Sequence, residues 1–213
     1  NQIILAGGVS GGIMRSINGG DTWTKVTPSN DLLSVTCIAQ DPRAGNQDIW
    51  YCGSGEVEGN SASGTGSSYY GHGIWKSTNN GQNWTALAST RVALENFDSD
   101  FDYVTRLLVD PTNGDVYAAA NGNIQRSQNG GDTWSKVLGN SDNSNATTTD
   151  IVKQGNNFYA SISSSGIWKS TTGNDMDWTQ IANSTQLGDN FGRIVLATTA
   201  ANADFLYTFY NIN

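Results

Sequence analysis

Residues 15–23 read RSINGGDTW, and closely similar stretches follow as KSTNNGQNW (76–84), RSQNGGDTW (126–134) and KSTTGNDMDW (169–178). The first three fit Ser-x-Asn-x-Gly-x-x-Trp without a gap, and the fourth carries one extra residue. In such a turn a hydroxyl and a short amide bond local backbone, a glycine takes a positive φ, and the tryptophan anchors the outgoing strand. The tryptophans recur at intervals of 61, 50 and 44 residues, which is typical of a repeat architecture.

Alternating apolar and polar residues predict four short strands per repeat, which we call A, B, C and D. In the best-defined repeat these strands cover residues 104–110, 115–120, 123–127 and 134–138, and the repeated motif forms the C–D turn. Asp-Pro and Asn-Gly pairs mark the A–B turn of the same repeat. Four short antiparallel strands, repeated along a chain, predict the blades of an all-β propeller.

The two ends of the chain do not coincide with blade boundaries. We predict strands B–C–D of a first blade, three complete blades and strands A–B of a last one, at residues 1–27, about 33–88, 103–139, 148–182 and 192–213. Propellers commonly close at about 4 to 8 blades, so we interpret the chain as an arc of a larger ring. Open edges predict that it belongs to a longer chain and folds poorly alone.

Composition narrows the classes of partner. The net charge is −8 and the pI about 4.4, with scattered Lys and Arg, which opposes binding to nucleic acid or to an anionic membrane surface. The sequence has no apolar run that approaches a membrane span, so membrane insertion is not expected. One His and two Cys are too few for a zinc site, and no phosphate loop or Ser-His-Asp triad can be assigned.

The repeated turns resemble Asp-box (BNR) repeats, with Asn where that family usually has Asp, and the resemblance covers essentially the whole chain. The phrases AGGVSGG (6–12), YCGSGE (51–56) and GIWKS (73–77) are similar to those of large secreted Bacteroidota proteins, many of which carry a type IX secretion sorting domain. The resemblance implies a secreted or cell-surface protein. Its family includes sialidases, xyloglucan-type endoglucanases, sortilin-like receptors and photosystem assembly factors, so it specifies fold better than function.

Strand direction separates two faces of the predicted propeller. The A–B and C–D turns lie on one face. The C–D turns carry the repeated motif and are called box turns below; in resembling proteins they are structural. The long segments belong to the other face and are residues 53–73, 88–103, 139–148 and 183–192. Long loops on one side of a rigid scaffold are where binding usually occurs, although length drift in Ser/Gly-rich loops would give the same pattern.

Carboxylates and aromatic rings flank the centre of the longest loop, as expected of a sugar site. Rings stack on sugar faces while acids hydrogen-bond the hydroxyls. The predicted ligand-binding residues in this loop are Glu56, Glu58, Tyr69, Tyr70 and His72. Glu56 and Glu58 are too close in sequence to be assumed to flank one bond, and a lone His72 is more often an exposed loop residue.

Three aspartates in the next loop raise the hypothesis of a cation site. Asp98, Asp100 and Asp102 alternate with apolar residues, and clustered carboxylates bind hard cations such as Ca²⁺. The EF-hand pattern fails, because Tyr103 stands where Gly is needed. The alternative is a solvated acidic edge over a buried aromatic one, and no other cofactor is expected.

The two cysteines, Cys37 and Cys52, fall on strands A and B of one blade. A hairpin that pairs Gln40 near Ile49 would bring them to the same level of the ladder. Cα atoms about 4.4–6.8 Å apart permit a disulfide, and secretion favours oxidation. We therefore predict a disulfide, with two small buried thiols as the alternative.

The A strands also align a set of polar residues. Cys37, Arg106, Asp150 and Arg193 take one equivalent position in successive blades, on strands that line the central channel. An aspartate between two arginines predicts an ion-pair ladder between blades. In the alternative, Arg106 or Arg193 meets an anionic sugar at the channel mouth, so both are candidate ligand-binding residues.

These patterns predict a secreted or surface-exposed, non-catalytic scaffold that binds a glycan or protein partner through its long-loop face. The competing hypothesis is a sialidase- or xyloglucanase-like glycoside hydrolase with part of its active site on missing blades. An enzyme would place two carboxylates across the channel, roughly 5 to 10 Å apart. A scaffold would direct its loop acids toward solvent or cations, and no catalytic residue is assigned.

Overall fold

The computed structural model of the chain describes residues 2–27, 34–57, 69–93, 96–140, 147, 149–189, 191–202 and 204–212. Within these residues the chain forms five antiparallel sheets, and each sheet keeps its strands in chain order. The first two sheets contain β1 (Ile4–Gly8), β2 (Gly12–Ser16) and β3 (Thr24–Lys25), then β4 (Val35–Gln40), β5 (Trp50–Ser54), β6 (Ile74–Ser77) and β7 (Thr85–Ala86).

The third, fourth and fifth sheets contain the strands from β8 onward. They contain β8 (Arg106–Val109), β9 (Val116–Ala120), β10 (Asn123–Ser127) and β11 (Ser135–Gly139), then β12 (Thr149–Gln154), β13 (Asn157–Ile162), β14 (Gly166–Ser170) and β15 (Thr179–Ala182), then β16 (Phe191–Thr198) and β17 (Leu206–Ile212). The helical structure in the described ranges consists of 3-10 turns at Ala88–Thr90 and Asp100–Asp102 and a short helix, α1 (Ser184–Leu187). In the described part of the chain, no helix is long and apolar enough to cross a membrane.

The predicted A–B–C–D strand order is confirmed. The second, third and fourth sheets have all four strands, the first has B–C–D and the last has A–B. The five sheets span residues 4–25, 35–86, 106–139, 149–182 and 191–212. The chain is therefore an all-β arc of four-stranded units with nearly no helix.

The box turns are built on a buried serine hydroxyl at the end of strand C. In the third sheet the N–H of Gly131 donates to Ser127 Oγ at 2.8 Å, and the N–H of Thr133 donates to Asn129 Oδ1 at 2.9 Å. Trp134 Nε1 closes the turn by donating to the Gly131 carbonyl at 3.2 Å. The first and second boxes repeat this pattern, so the polar atoms of the motif serve local structure, as predicted.

The fourth box replaces its asparagine with a carboxylate from the far side of the turn. Asp177 Oδ2 accepts a hydrogen bond from the Ser170 hydroxyl at 2.7 Å and from the Thr172 N–H at 3.0 Å. The hydroxyls of Ser170 and Thr172 lower the pKa of Asp177, because they stabilise its charged form. The extra residue thus changes the acceptor and keeps the turn.

The apolar core is divided among the interfaces between neighbouring sheets. Because side chains alternate along a strand, each sheet directs one set toward the preceding sheet and the other toward the following one. On β5, Tyr51 packs toward the third sheet, while Cys52 packs with Ile13 of the first. In the next interface the rings of Tyr117 and Phe158 lie 4.9 Å apart. Each sheet is therefore stabilised by its neighbours.

The predicted disulfide between Cys37 and Cys52 is wrong, and both thiols are free. Gln40 pairs with Trp50 rather than Ile49, so Cys37 lies opposite Gly53 and Cys52 lies opposite Ile38. A shift of one residue sends neighbouring side chains to opposite faces of a sheet. Cys37, which is partly buried, accordingly packs toward the third sheet, and Cys52, which is buried, packs toward the first. The alternative of two small buried thiols therefore holds fully for Cys52 and in part for Cys37.

Substitution of a box serine should destabilise the fold. Ser127→Ala leaves the buried N–H of Gly131 without its acceptor, and we expect a loss of about 1–3 kcal/mol in the free energy of unfolding. The neighbouring Gln128 is exposed, so Gln128→Ala is the matched control and should change little. Urea denaturation measures both; equal stability of the two variants would contradict a structural role for the hydroxyl.

Both cysteines should be titratable without reductant. After denaturation, a thiol reagent should find two free thiols per chain, and prior reduction should not increase that number. In the native protein the reaction should be slow, because burial raises the pKa of Cys37 to about 12 and also raises that of Cys52. If the number of free thiols rises only after reduction, the two cysteines form the predicted disulfide after all.

Candidate functional site

A cavity of about 290 Å³ opens where strand A begins and strand B ends, which is the end that carries the long loops. Strand direction places the box turns at the opposite end, so they take no part in it. The lining combines a carboxylate, a guanidinium and hydroxyls with small and apolar residues; it consists of Gly7, Val9, Val35, Thr36, Gly55, Glu56, Val57, Thr105 and Arg193. Such a mixture can hydrogen-bond a polar ligand on several sides.

The structure brings Glu56 and Tyr69 together across the base of the longest loop. Two backbone hydrogen bonds, of 2.8 and 2.9 Å, join these residues in an isolated bridge. Side chains paired in this way have Cβ atoms about 4.5–5.5 Å apart. Tyr69 is 47% exposed, so a ring accessible to a ligand stands beside the cavity carboxylate. Glu58 lies outside the described residues.

Hydrogen bonds fix the returning half of this loop. The N–H of His72 donates to Ser54 Oγ at 2.7 Å, and that hydroxyl donates to the Gly73 carbonyl at 2.7 Å. The N–H of Gly71 donates to the Asp102 carbonyl at 2.8 Å, which ties the loop to the next one. The ring of His72 lies 6.3 Å from that of Trp75. His72 is thus part of the loop base rather than of the cavity lining.

An aromatic group lies beside the same loop base. The ring of Tyr103, which is buried, is 5.7 Å from Tyr70 and 6.1 Å from Phe97. Tyr70 is partly buried in this stack, whereas Tyr69 stands clear of it. Of the predicted aromatic pair, Tyr69 is therefore the better stacking platform, and Tyr70 packs against the core.

A row of threonines, two of which line the cavity, crosses the interfaces between sheets, and sequence reasoning missed it. The Thr36 hydroxyl donates to the Val104 carbonyl, and the Thr105 hydroxyl donates to the Thr149 carbonyl at 2.6 Å. Each bond joins the A strands of neighbouring sheets. The available signal was the Val-Thr pair at residues 35–36 and again at 104–105. These hydroxyls set the spacing of the strands that line the cavity.

The predicted ion-pair ladder is present in one half only. Arg106 Nε lies 3.7 Å from Asp150 Oδ1, but no ion pair joins Arg193 to Asp150 among the described residues. The second partner of Asp150 is instead the N–H of Leu196, which donates to Oδ2 at 2.9 Å. Arg193 lines the cavity instead, and its binding of an anionic sugar stays a prediction.

Burial determines the ionisation of Asp150. Its removal from water raises the pKa, although the Leu196 N–H and the Arg106 charge both act in the opposite direction. The Arg106 side chain is 47% exposed, so its attraction for the carboxylate is weakened by solvent. Asp150 does not line the cavity, and its contacts make it a link between sheets.

One of the three aspartates of the calcium hypothesis, Asp102, stabilises the start of a 3-10 turn. Asp102 is buried and accepts hydrogen bonds from the N–H groups of Asp98 and Ser99 at 2.9 and 2.8 Å. Burial raises the pKa of Asp102. In the described part of the chain, no group of three or more His, Cys, Asp or Glu residues is placed to hold a metal ion. Calcium binding by Asp98, Asp100 and Asp102 stays a prediction.

Comparison with solved structures shows what this architecture is similar to. An ancestral GH74 enzyme superposes with a TM-score of 0.62 at 19% identity, over 100% of this chain and 29% of its own. A GH74 enzyme of Niastella koreensis gives 0.56 at 22% identity, over 85% of this chain and 27% of its own. YCF48 from Cyanidioschyzon merolae gives 0.52 at 12% identity, over 92% of this chain and 61% of its own.

These similarities show a β-propeller fold and no closer relationship. No family model matches the chain, and no curated protein matches it. The chain spans about 29% of the length of the ancestral GH74 enzyme and 27% of that of the Niastella enzyme. The predicted propeller class is therefore confirmed, while activity and partner must be inferred from the site.

Removal of the Asp150 carboxylate should destabilise the contact between the fourth and fifth sheets. Asp150→Ala leaves the buried N–H of Leu196 without an acceptor, and we expect a loss of about 1–3 kcal/mol in the free energy of unfolding. Asp132→Ala, at an exposed box position, is the control. Urea denaturation at pH 7 distinguishes them; if Asp150→Ala is as stable as the parent, the carboxylate is not a structural link.

Proposed function

We propose that this propeller segment belongs to a secreted or cell-surface protein that binds a glycan at the long-loop end of its channel, without catalysing a reaction there. The observation that carries the proposal is the cavity in which Glu56 and Arg193, far apart in sequence, line one space. Its volume of about 290 Å³ is near the lower end for ligand pockets and suits one or two sugar units better than a large cofactor.

The chemistry of the lining suits the hydroxyl groups of a sugar. A carboxylate accepts two hydroxyl hydrogens, a guanidinium donates in a fixed fork, and such charge-assisted bonds are the stronger kind. Tyr69, bridged to Glu56 and 47% exposed, offers a ring face for stacking. The acidic chain, with a net charge of −8, favours neutral or weakly anionic glycans over polyanions.

A glycoside hydrolase is the alternative function. It requires two carboxylates about 5 to 10 Å apart. Among the described lining residues, Glu56 is the single carboxylate. Asp150 lies outside the lining, where it accepts a hydrogen bond from the Leu196 N–H and forms an ion pair with Arg106. A hydrolase would need its second acid from residues beyond those described, such as Glu58, or from further blades. GH74 enzymes share the fold, which keeps this alternative open to experiment.

Substitutions in the cavity lining should weaken glycan binding. We expect Glu56→Gln and Arg193→Gln each to raise the Kd for a glycan selected on an array by about tenfold or more, since each removes a charge-assisted hydrogen bond. Lys25→Gln, on β3 and far from the cavity lining, is the matched control. Isothermal titration with the protein at its full length measures all three.

Two results would contradict the proposal. Binding unchanged by both cavity variants would place the ligand elsewhere or point to a protein partner. Release of new reducing ends from the bound glycan, lost in Glu56→Gln, would establish the hydrolase instead.

A further inference from the structure

The outer strand of the fifth sheet has a partner on one side only. Among the described residues β17 pairs with β16, whereas the equivalent strands β5, β9 and β13 pair on both sides. In each complete sheet the second partner is strand C, which continues through the box turn into strand D. A strand edge of this kind is a template for pairing with a further strand.

A basic residue directly before each box serine links neighbouring sheets. Wherever the following sheet has a box turn, this basic residue donates a hydrogen bond to that turn. The pairs are Arg15 Nε to the Asn80 carbonyl at 2.8 Å, Lys76 Nζ to the Gly130 carbonyl at 2.9 Å, and Arg126 Nη1 to Asn174 Oδ1. Lys169 is the fourth member; it lies 5.9 Å over the Tyr159 ring and, within the described chain, donates to no box turn.

An apolar contact follows the same series. The residue three positions after each box tryptophan shares a buried cluster with the tryptophan of the next box. The pairs are Val26 with Trp84, Leu87 with Trp134 and Val137 with Trp178. Ile181 is the fourth residue of this series, and it is 44% exposed. In the described part of the chain, the strand pairing at β17, the basic contact at Lys169 and the apolar contact at Ile181 therefore all lack the partner that the preceding repeats have.

We propose that the edge of β17, Lys169 and Ile181 together form the docking site for one hairpin, made of a strand C, an Asp-box turn and a strand D. We assign the hairpin to a further segment of the same polypeptide, because in each complete sheet the four strands follow one another along one chain. Its strand C pairs with β17, its box turn accepts the hydrogen bond of Lys169, and its tryptophan covers Ile181. A single occupant is inferred because one hairpin provides all three contacts in every complete interface.

Hydrogen exchange in the natural protein at its full length tests the proposal. We expect the amides of residues 206–212 to exchange about as slowly as those of the doubly paired β13. Lys169→Met should accelerate exchange across residues 206–212 by about tenfold, because it removes the contact that holds the docked turn. Lys25→Met, at an exposed position of β3, is the matched control and should leave these amides unchanged.

A second variant protects the test against a failure of Lys169→Met to fold. Ile181→Ser should lower the urea midpoint if a tryptophan covers the side chain, whereas Ile17→Ser, at a position that is 63% exposed, should not. Fast exchange of residues 206–212 in the unsubstituted protein overturns the proposal. Protection that persists in both variants excludes a box hairpin as the occupant, and protection lost on dilution assigns the edge to a second copy of the chain.

Discussion

In each repeat a serine hydroxyl at the end of strand C is buried and accepts an N–H group of the turn that follows. Four such hydroxyls, at Ser16, Ser77, Ser127 and Ser170, are at most 2% exposed. Because the turn is fixed, its backbone carbonyl groups have fixed positions. The basic residue before the box serine of the preceding sheet donates a hydrogen bond to one of these carbonyls. One buried hydroxyl thus determines both the C–D hairpin and its contact with a neighbour.

The sheets depend on one another because each has two apolar faces. Tyr51 and Cys52 are consecutive on β5 yet pack in different interfaces, so removal of either neighbour exposes part of the second sheet. Stability in such an array is approximately the sum of the sheets and their interfaces. The terminal sheets accordingly carry most of the exposed large apolar residues, such as Phe209 at 79% and Ile17 at 63%.

The direction of the strands places the box turns and the long loops at opposite ends of the sheets. The box turns occupy one end of the sheets, where their polar atoms are used internally. The opposite end is free to carry loops of different length, and the threonine hydroxyls beneath it hold neighbouring A strands together. A cavity with a carboxylate and a guanidinium can therefore form there without weakening the turns that define the fold.

The strand order, the location of the box turns and the face that carries the long loops could be predicted from the sequence, because the repeated Ser, Gly and Trp residues specify local backbone geometry. The sequence also pointed to Glu56, Tyr69 and Arg193. That Glu56 and Arg193 line one cavity could not be predicted from the sequence, since their proximity depends on the packing of separate sheets. The register of Cys37 was likewise beyond local reasoning: Gln40 pairs with Trp50, one residue from the predicted partner, which places Cys37 opposite Gly53 and turns the two thiols to opposite faces of the sheet.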